Sequence, residues 1–194
     1  MSLSEFRDRA ARRQVRAYLD FFAPVTAQFL PDLADRLATP QGPALDLGCG
    51  DGELARSLRA RGWQVIAVDR SPEMARTAHA ASGADVVVAD ATALPVRGAA
   101  LGALGAAFVL PHLPDLSRGL AEARRVLRPG GCLAMTGWAA PSLSPLTGLL
   151  ADLVLAHTSE AAALIEAQRR SDGDYLRQAL GVAGFADITV ETLA

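Results

Sequence analysis

Residues 44–54 read Ala-Leu-Asp-Leu-Gly-Cys-Gly-Asp-Gly-Glu-Leu, and this stretch decides the fold. An apolar run predicts a strand at 44–47, and three glycines at alternate positions separate it from a predicted helix. A strand, a glycine-rich turn and a helix in this order bring bare backbone close to a ligand at the start of the helix. The stretch therefore predicts a βα unit with a ligand-binding turn.

Strands and helices continue to alternate along the chain. Short apolar runs predict the strands, and Ser71, Pro72 and Glu73 open a helix with an N-cap, a first-turn proline and an early acid. Because alternating elements pair in parallel through right-handed crossovers, we predict an α/β fold with a doubly wound, mostly parallel sheet. The predicted strands are 44–47, 63–69, 84–89, 101–109, 132–137 and 185–193, and helices are predicted at 51–61, 116–127 and 174–183.

The chain has 194 residues, and we predict a single domain over 1–194. Pro24 and Pro31 are expected to divide its first helical segment. The insertion after the fifth strand is expected to act as a lid over a substrate. The predicted parts are an N-terminal helical cap (1–40), the core (41–137), a helical lid insertion (138–172), and a C-terminal helix and strand (173–194).

Composition and charge exclude several classes of protein. Hydrophobic residues are 51% of the chain and the net charge is −2, which excludes a disordered chain and does not favour nucleic acid or an anionic membrane. Two cysteines make no disulfide framework, and no His/Cys cluster has metal-site spacing. Without an apolar span of about 18 residues or a signal-peptide core, we expect a cytoplasmic protein. All 19 basic residues are arginine, a bias typical of GC-rich bacterial genomes.

The glycine turn does not have the dinucleotide-binding pattern. That pattern is G-x-G-x-x-G, and its sixth position counted from Gly48 is Glu53. The preceding Asp46 would also repel a pyrophosphate, whereas it suits a ligand with an ammonium or sulfonium group.

Four segments in order carry a family resemblance: LDLGCGDGELA, VIAVDRSPEM, ADATALP and PHLPDLSRGLAEARRVLRPGG. With them the chain resembles the class I S-adenosylmethionine-dependent methyltransferases, in particular the small-molecule branch that includes the ubiquinone and menaquinone biosynthetic enzymes. The resemblance implies a Rossmann-like fold, S-adenosylmethionine as cofactor and a small-molecule acceptor.

The resemblance assigns the methionyl portion of the cofactor to Asp46 and to the backbone of Gly48, Cys49 and Gly50. At the end of the fourth strand, the backbone carbonyl of Ala107 or Phe108 would face the amino group. Gly52 is interpreted as structural, because it lets the first helix of the core pack closely on the sheet.

The ribose and adenine are assigned to the next two strand ends. Asp69 ends the second strand, where a carboxylate can accept both ribose hydroxyls. Arg70 and Met74 flank the adenine, and Met74 packs on its face. Asp90 accepts from the exocyclic amine, and the Ala91 amide donates to a ring nitrogen.

Catalytic residues are less clearly marked. The family has an acid at the fourth strand and two histidines after it, but here the acid is absent and only His112 remains. His112 is either a general base or a loop cap, and His157 in the predicted lid is a second candidate that could reach the substrate. A base is needed only for a nucleophile whose proton has a high pKa, so in-line displacement driven by positioning is sufficient for the others.

Some features leave alternatives open. Class I sheets end in a sixth and an antiparallel seventh strand, but this chain stops at the predicted sixth, so we expect the usual last strand to be missing. An uncovered edge invites pairing, and a monomer and a homodimer are both retained. The cap aromatics Phe6, Tyr18, Phe21 and Phe22 are expected to roof an apolar acceptor pocket.

The rival functions are a non-methylating enzyme on the same fold (a cyclase or decarboxylase), a non-catalytic cofactor-binding partner protein, and a nicotinamide-dependent oxidoreductase.

Overall fold

The computed structural model describes residues 13, 15–37, 39–113, 115–138 and 172–192. Its centre is a parallel five-stranded sheet with the strand order β3-β2-β1-β4-β5, as the alternating pattern predicts. The strands are β1 (Ala44–Leu47), β2 (Val65–Asp69), β3 (Asp85–Val88), β4 (Leu101–Ala107) and β5 (Leu127–Thr136).

Helices cover both faces of the sheet. Leucines and alanines of α2, α3 and α4 pack on one face, while α5 packs on the other with partly buried residues of α6 beside it. Because both faces are covered, β1 is buried along its whole length. The α-helices are α1 (Ala23–Thr26), α2 (Leu30–Asp35), α3 (Glu53–Ala60), α4 (Pro72–Ser82), α5 (Leu116–Val126) and α6 (Gly173–Val182).

The N-terminal segment is helical over its described part, but its geometry changes along the chain. A π-helical turn at Tyr18–Phe22 leads into α1, and a 3-10 turn at Ala27–Phe29 leads into α2. Pro24 and Pro31 lie in the first turns of α1 and α2, which confirms that the two prolines divide the segment. None of the helices in the described part of the chain is long and apolar enough to span a membrane.

The predicted last strand is wrong for the residues that are described. Residues 185–192 form no strand. Asp187 has a left-handed backbone with φ of +54°, which interrupts the extended conformation that a ladder requires. The end of the chain is held by an ion pair between Arg36 and Glu191 instead. Whether the usual last strand is missing stays a prediction, because 139–171 lie outside the described residues.

The fifth strand begins earlier than predicted. Leu127 already pairs with Leu101, and the next pair is Ala103 with Cys132. The intervening Arg-Pro-Gly-Gly tract is therefore an irregularity inside β5, with Gly130 at φ of +74°. The division into cap, core, lid and C-terminal part stays a prediction.

Candidate functional site

A cleft opens where the order of the sheet reverses. The chain runs outward from β1 through β2 to β3 and then crosses to β4, and the helices that follow β1 and β4 pack on opposite faces of the sheet. Ligands of open α/β sheets bind at such a switch point. The cleft is partly open to solvent and is lined by Asp46 of β1, the glycine turn, Ala107 and Phe108.

The turn from β1 to α3 depends on glycine at three positions. Gly48, Gly50 and Gly52 all have positive φ angles, of +67°, +53° and +84°. A Cβ atom on Gly48 would lie 2.4 Å from Cγ2 of Val109, and one on Gly52 would lie 2.8 Å from the backbone of Ala78 in α4. Gly52 is predicted to let α3 pack closely on the sheet. The element that a Cβ at this position would meet is α4, so the prediction is wrong about what Gly52 packs against.

Asp46 is buried beneath this turn, with 1% of its surface exposed. Its Oδ2 accepts a hydrogen bond from the backbone N–H of Ala55 at 2.9 Å. Burial raises the pKa of Asp46 to about 7, and the charges of Asp51 and Asp69 act in the same direction, whereas the Ala55 hydrogen bond opposes them. A cation bound nearby would favour the ionised form.

Tyr18 covers the turn from the N-terminal segment. Its hydroxyl oxygen lies 3.3 Å from the position that a Cβ on Gly50 would take. Burial raises the pKa of Tyr18, while a hydrogen bond with the side chain of Thr26 opposes this shift, so the hydroxyl keeps its proton. The structure thereby places the predicted roof residue Tyr18 in the lining. The predicted roof residues Phe21 and Phe22 are 72% and 57% exposed, and neither belongs to that lining.

Asp69 is joined directly to the glycine turn. One carboxylate oxygen accepts from the N–H of Gly50 at 3.0 Å, and the other accepts from the N–H of Ser71 at 2.8 Å. Each oxygen retains further acceptor capacity, because a carboxylate has about four lone-pair sites. The acid therefore links the ends of β1 and β2 and can still accept from a ligand.

Asp90 follows β3 on an exposed loop. Its Oδ1 accepts from both the backbone N–H and the hydroxyl of Thr92, each at 2.7 Å, and these hydrogen bonds lower the pKa of Asp90. Arg70 is exposed beyond β2, and Met74 is half-buried in the first turn of α4. None of these residues, nor Ala91, lines the cleft around Asp46, so the structure places them one and two strands away from it.

Phe108 has an unusual backbone at the edge of the cleft. Its φ is +56°, a left-handed value that bulky residues rarely adopt, and its N–H donates to Thr136 O at 3.0 Å. The ring packs between Phe29, at a centroid distance of 5.9 Å, and Trp138, at 4.6 Å. Three aromatic side chains thus extend from the cleft towards the end of β5.

Of the two predicted catalytic histidines, His112 does not belong to the cleft lining. His112 is exposed at the end of a 3-10 turn, Leu110–His112, after β4. His157 lies outside the described residues, as does the predicted roof residue Phe6. Within the described part of the chain, no three His, Cys, Asp or Glu side chains are grouped so that they could hold a metal ion.

Comparisons with known proteins agree with this geometry. Residues 45–135, which run from β1 to β5, match the family model described as a methyltransferase domain. This match is a similarity to that family over the sheet-forming part of the chain. A solved structure of a SAM-dependent methyltransferase from Thermotoga maritima has the same fold, with a TM-score of 0.68, 22% identity and coverage of 90% of this chain and 79% of that one.

Curated relatives named as methyltransferases match more than half of this chain. A malonyl-[acyl-carrier protein] O-methyltransferase from Pseudescherichia vulneris is 37% identical over 126 residues, which are 62% of this chain and 50% of the relative. A ubiquinone/menaquinone biosynthesis C-methyltransferase from Acidiphilium cryptum is 36% identical over 118 residues, 55% of this chain and 47% of the relative. The matched part of the chain thus spans half or less of the length of these relatives.

The predicted site residues of the methyltransferase domain fall into two groups. The cleft brings together Asp46, Gly48, Cys49, Ala107 and Phe108, and Gly50 of the same turn is hydrogen-bonded to Asp69; the second group is Arg70, Met74, Asp90 and Ala91. Sequence reasoning missed Thr26, Asp51 and Glu53 in the lining. The acids could have been found from their place in the turn, whereas no local signal marks Thr26.

Proposed function

We propose that the protein transfers a methyl group from S-adenosylmethionine to a small, fairly apolar acceptor. The observation that carries this proposal is the buried carboxylate of Asp46 beneath a turn of bare backbone, at the switch point of the sheet. The matched methyltransferase domain and the relatives named as methyltransferases support the same reaction class.

The charge of the cleft favours a cationic ligand. Its described lining contains the acids Asp46, Asp51 and Glu53, and no arginine. Glu53 is paired with Arg56, which leaves the other two acids to face a ligand. S-adenosylmethionine carries a sulfonium and an ammonium group, so it fits this field better than a pyrophosphate does.

The residues present fit the parts of the cofactor in turn. Asp46 and the backbone of residues 48–50 would hold the methionyl portion, with the Tyr18 side chain next to it. The carbonyl of Ala107 or Phe108 would accept from the amino group. Asp69 would accept from the ribose hydroxyls.

The adenine would lie further along the strand ends. We assign one of its faces to Met74, with Arg70 beside it, and its edge to Asp90 and the N–H of Ala91. The lowered pKa of Asp90 keeps this acid ionised and therefore able to accept from an exocyclic amine.

The reaction needs few protein groups beyond binding. The cofactor supplies a methyl group that its sulfonium already activates. The chain must hold the acceptor in line with that methyl and exclude water, and such positioning can lower a barrier by about 7–11 kcal/mol. His112, or His157, would act as a base only for an acceptor that must lose a proton of high pKa.

The aromatic side chains at the edge of the cleft favour an apolar acceptor. Phe29, Phe108 and Trp138 form a continuous set of rings next to Ala107. Aromatic faces contribute large apolar contact areas, and a planar acceptor could stack on them. We further propose that the protein acts in the cytoplasm on a free small molecule, without nucleic acid or membrane, as a monomer or a homodimer.

Calorimetric titration with S-adenosylmethionine, S-adenosylhomocysteine and NAD tests the cofactor. We expect the first two to bind and NAD not to bind; preferential binding of NAD would overturn the proposal. Mass spectrometry of the purified protein should then identify copurified acceptors. Turnover of such an acceptor with formation of S-adenosylhomocysteine supports methyl transfer. Turnover without that product would indicate a cyclase or decarboxylase, and tight binding without any turnover would indicate a non-catalytic partner protein.

A further inference from the structure

The loop between β3 and β4, residues 89–100, carries two of the assigned adenine contacts but contains no helix or strand. Its first half is fixed locally. Asp90 accepts from Thr92 through its side chain, and its carbonyl accepts from the N–H of Ala93 at 3.0 Å. This side-chain turn sets the shape of 90–93 but does not attach the loop to the rest of the protein.

The second half of the loop is attached by two side chains of α5. The N–H of Leu94 donates to Oε2 of Glu122 at 2.7 Å, and the carbonyl of Leu94 accepts from Nη2 of Arg125 at 3.0 Å. Nη1 of Arg125 donates to the carbonyl of Val96 at 2.8 Å. Both backbone polar groups of Leu94 thus depend on side chains from a distant part of the sequence.

The two side chains also hold each other. Nε and Nη2 of Arg125 donate to the two carboxylate oxygens of Glu122, at 2.6 Å and 2.8 Å. The hydrogen bonds from Arg125 lower the pKa of Glu122, and this carboxyl group therefore stays ionised. Only a guanidinium can bond to Glu122, Leu94 and Val96 at once, because its five N–H groups form a fixed fork.

We propose that Glu122 and Arg125 are positioning residues that set the affinity and selectivity for the adenine ring through this loop. The inference rests on the proposed function, and neither residue touches the ligand. The side chain of Leu94 is 5% exposed, so a loop held at Leu94 and Val96 keeps Asp90 and Ala91 in register with the sheet. Without the two side chains, Leu94 and Val96 lose the hydrogen bonds that fix their backbone. Between β3 and Ala99 the loop then keeps its apolar packing on the core and the hydrogen bond from Ala89 N–H to Asp69 O.

The test compares two ligands that differ only at the base. S-inosylhomocysteine has an oxygen where S-adenosylhomocysteine has the exocyclic amine that Asp90 is assigned to bind. We expect the wild-type protein to prefer the adenosyl ligand by at least about tenfold, the size expected for one hydrogen bond to a charged group. In Arg125→Met this ratio should fall towards one, mainly because the adenosyl ligand binds more weakly.

Arg124→Met is the matched control. Arg124 precedes Arg125 on the same helix, is exposed, and donates to the carbonyl of Gly184 rather than to the loop. Arg124→Met should therefore keep the wild-type ratio. Arg125→Lys should give an intermediate ratio, because an ammonium group cannot make all the hydrogen bonds of the fork.

Thermal unfolding of each variant separates positioning from stability. If Arg125→Met fails to fold, Glu122→Gln replaces it, since the amide oxygen can still accept from Leu94 while the ion pair is lost; its ratio should also fall. A folded Arg125 or Glu122 variant with the wild-type ratio would overturn the inference, as would a wild-type protein that binds both ligands equally. A wild-type protein that binds neither ligand contradicts the proposed function itself.

Discussion

The two loops that carry the candidate cofactor site are fixed in opposite ways. The turn after β1 is held by backbone hydrogen bonds: the N–H groups of Gly48 and Cys49 both donate to Val68 O of β2, at 2.7 Å and 3.0 Å, and Gly52 N–H donates to Cys49 O. In the loop after β3, the backbone of Leu94 and the carbonyl of Val96 are held instead by the side chains of Glu122 and Arg125 of α5.

The acids next to the two loops, Asp46 and Asp90, differ in their burial and in the direction in which their pKa values are shifted. Asp46 is buried and its pKa is raised to about 7, whereas Asp90 is exposed and hydrogen bonds from Thr92 lower its pKa. Burial makes Asp46 costly to ionise until a cation arrives, while Asp90 is ionised at any neutral pH. The turn after β1 is therefore rigid, and the ionisation of Asp46 beneath it depends on the ligand. In the loop after β3, Asp90 is always ionised at neutral pH, and the conformation of the loop depends on side chains of α5.

The largest expected effect is at the rigid turn. Gly52→Ala should lower the free energy of unfolding by about 2–5 kcal/mol, because a left-handed alanine is strained and its Cβ would collide with the backbone of α4. Gly62→Ala is the control, since Gly62 has φ of +87° but nothing within 4 Å of the added carbon. It should cost only the strain, about 1–2 kcal/mol. Urea unfolding measures both, and equal losses would contradict the collision.

The next effect concerns the acid that links the two strand ends. Asp69→Ala should weaken S-adenosylhomocysteine binding at least about tenfold in calorimetry, because it removes both the ribose acceptor and the partner of the Gly50 N–H. The apo protein should still fold, since β2 is buried through Val65, Ala67 and Val68. Asp69→Asn should be milder, as it keeps one acceptor oxygen.

Asp85→Ala serves as a control on the neighbouring strand, because Asp85 is an exposed acid at the start of β3. It should leave the affinity unchanged. If Asp69→Ala unfolds the protein, the acid is a structural cap and the ribose assignment fails. Unchanged affinity in a folded Asp69→Ala would exclude the contact directly.

The pH dependence distinguishes the two acids. With the pKa of Asp46 at about 7, S-adenosylhomocysteine should bind about tenfold more weakly at pH 6 than at pH 8, because a proton must leave Asp46 before it can pair with the ammonium group of the ligand. In Asp46→Asn the affinity should be weak at both pH values. Asp90→Asn should lose affinity yet keep the wild-type pH dependence. A flat wild-type profile would contradict an Asp46 that is protonated in the free protein.

The ionisation of Asp46 should also affect the stability of the free protein, which should fall as the pH rises. The folded state holds a proton on Asp46 up to a pKa of about 7, while the unfolded chain releases it near about 3.9. Between these values the native state binds more protons, so the stabilising contribution present at low pH is lost as pH rises towards 7. Urea unfolding of wild type against Asp46→Asn, at pH 5 and pH 7, isolates this contribution.

The smallest effect is expected outside both loops. His112→Ala should leave the affinity for S-adenosylhomocysteine within a few-fold of wild type, since His112 is exposed and does not line the cleft. Turnover of an identified acceptor should fall by less than about tenfold. A fall of about 10²–10⁴ would instead make His112 a general base.

Whether a sequence prediction is confirmed depends on how far apart in the sequence the interacting residues lie. The helix start at Ser71 is confirmed, because its hydroxyl accepts from Met74 N–H three residues later. The strand at 185–193 is wrong, since its apolar residues fit an extended run but Asp187 takes a left-handed backbone. The early start of β5 was not predicted, because pairing of Leu127 with Leu101 depends on a neighbour 26 positions away.

By itself, the sequence determined the parts of this protein whose physics is local. The strand, the glycine turn and the helix of 44–60 follow from apolar runs and from glycines that alone tolerate the required φ angles. Tertiary structure decided the rest. The pKa of Asp46 is raised by burial, which depends on packing from several elements. The Tyr18 hydroxyl lies over Gly50, and Arg125 donates to the carbonyl of Val96. These two contacts join residues 29 or more positions apart. Such contacts form only when the sheet and its helices assemble, so no local pattern encodes them.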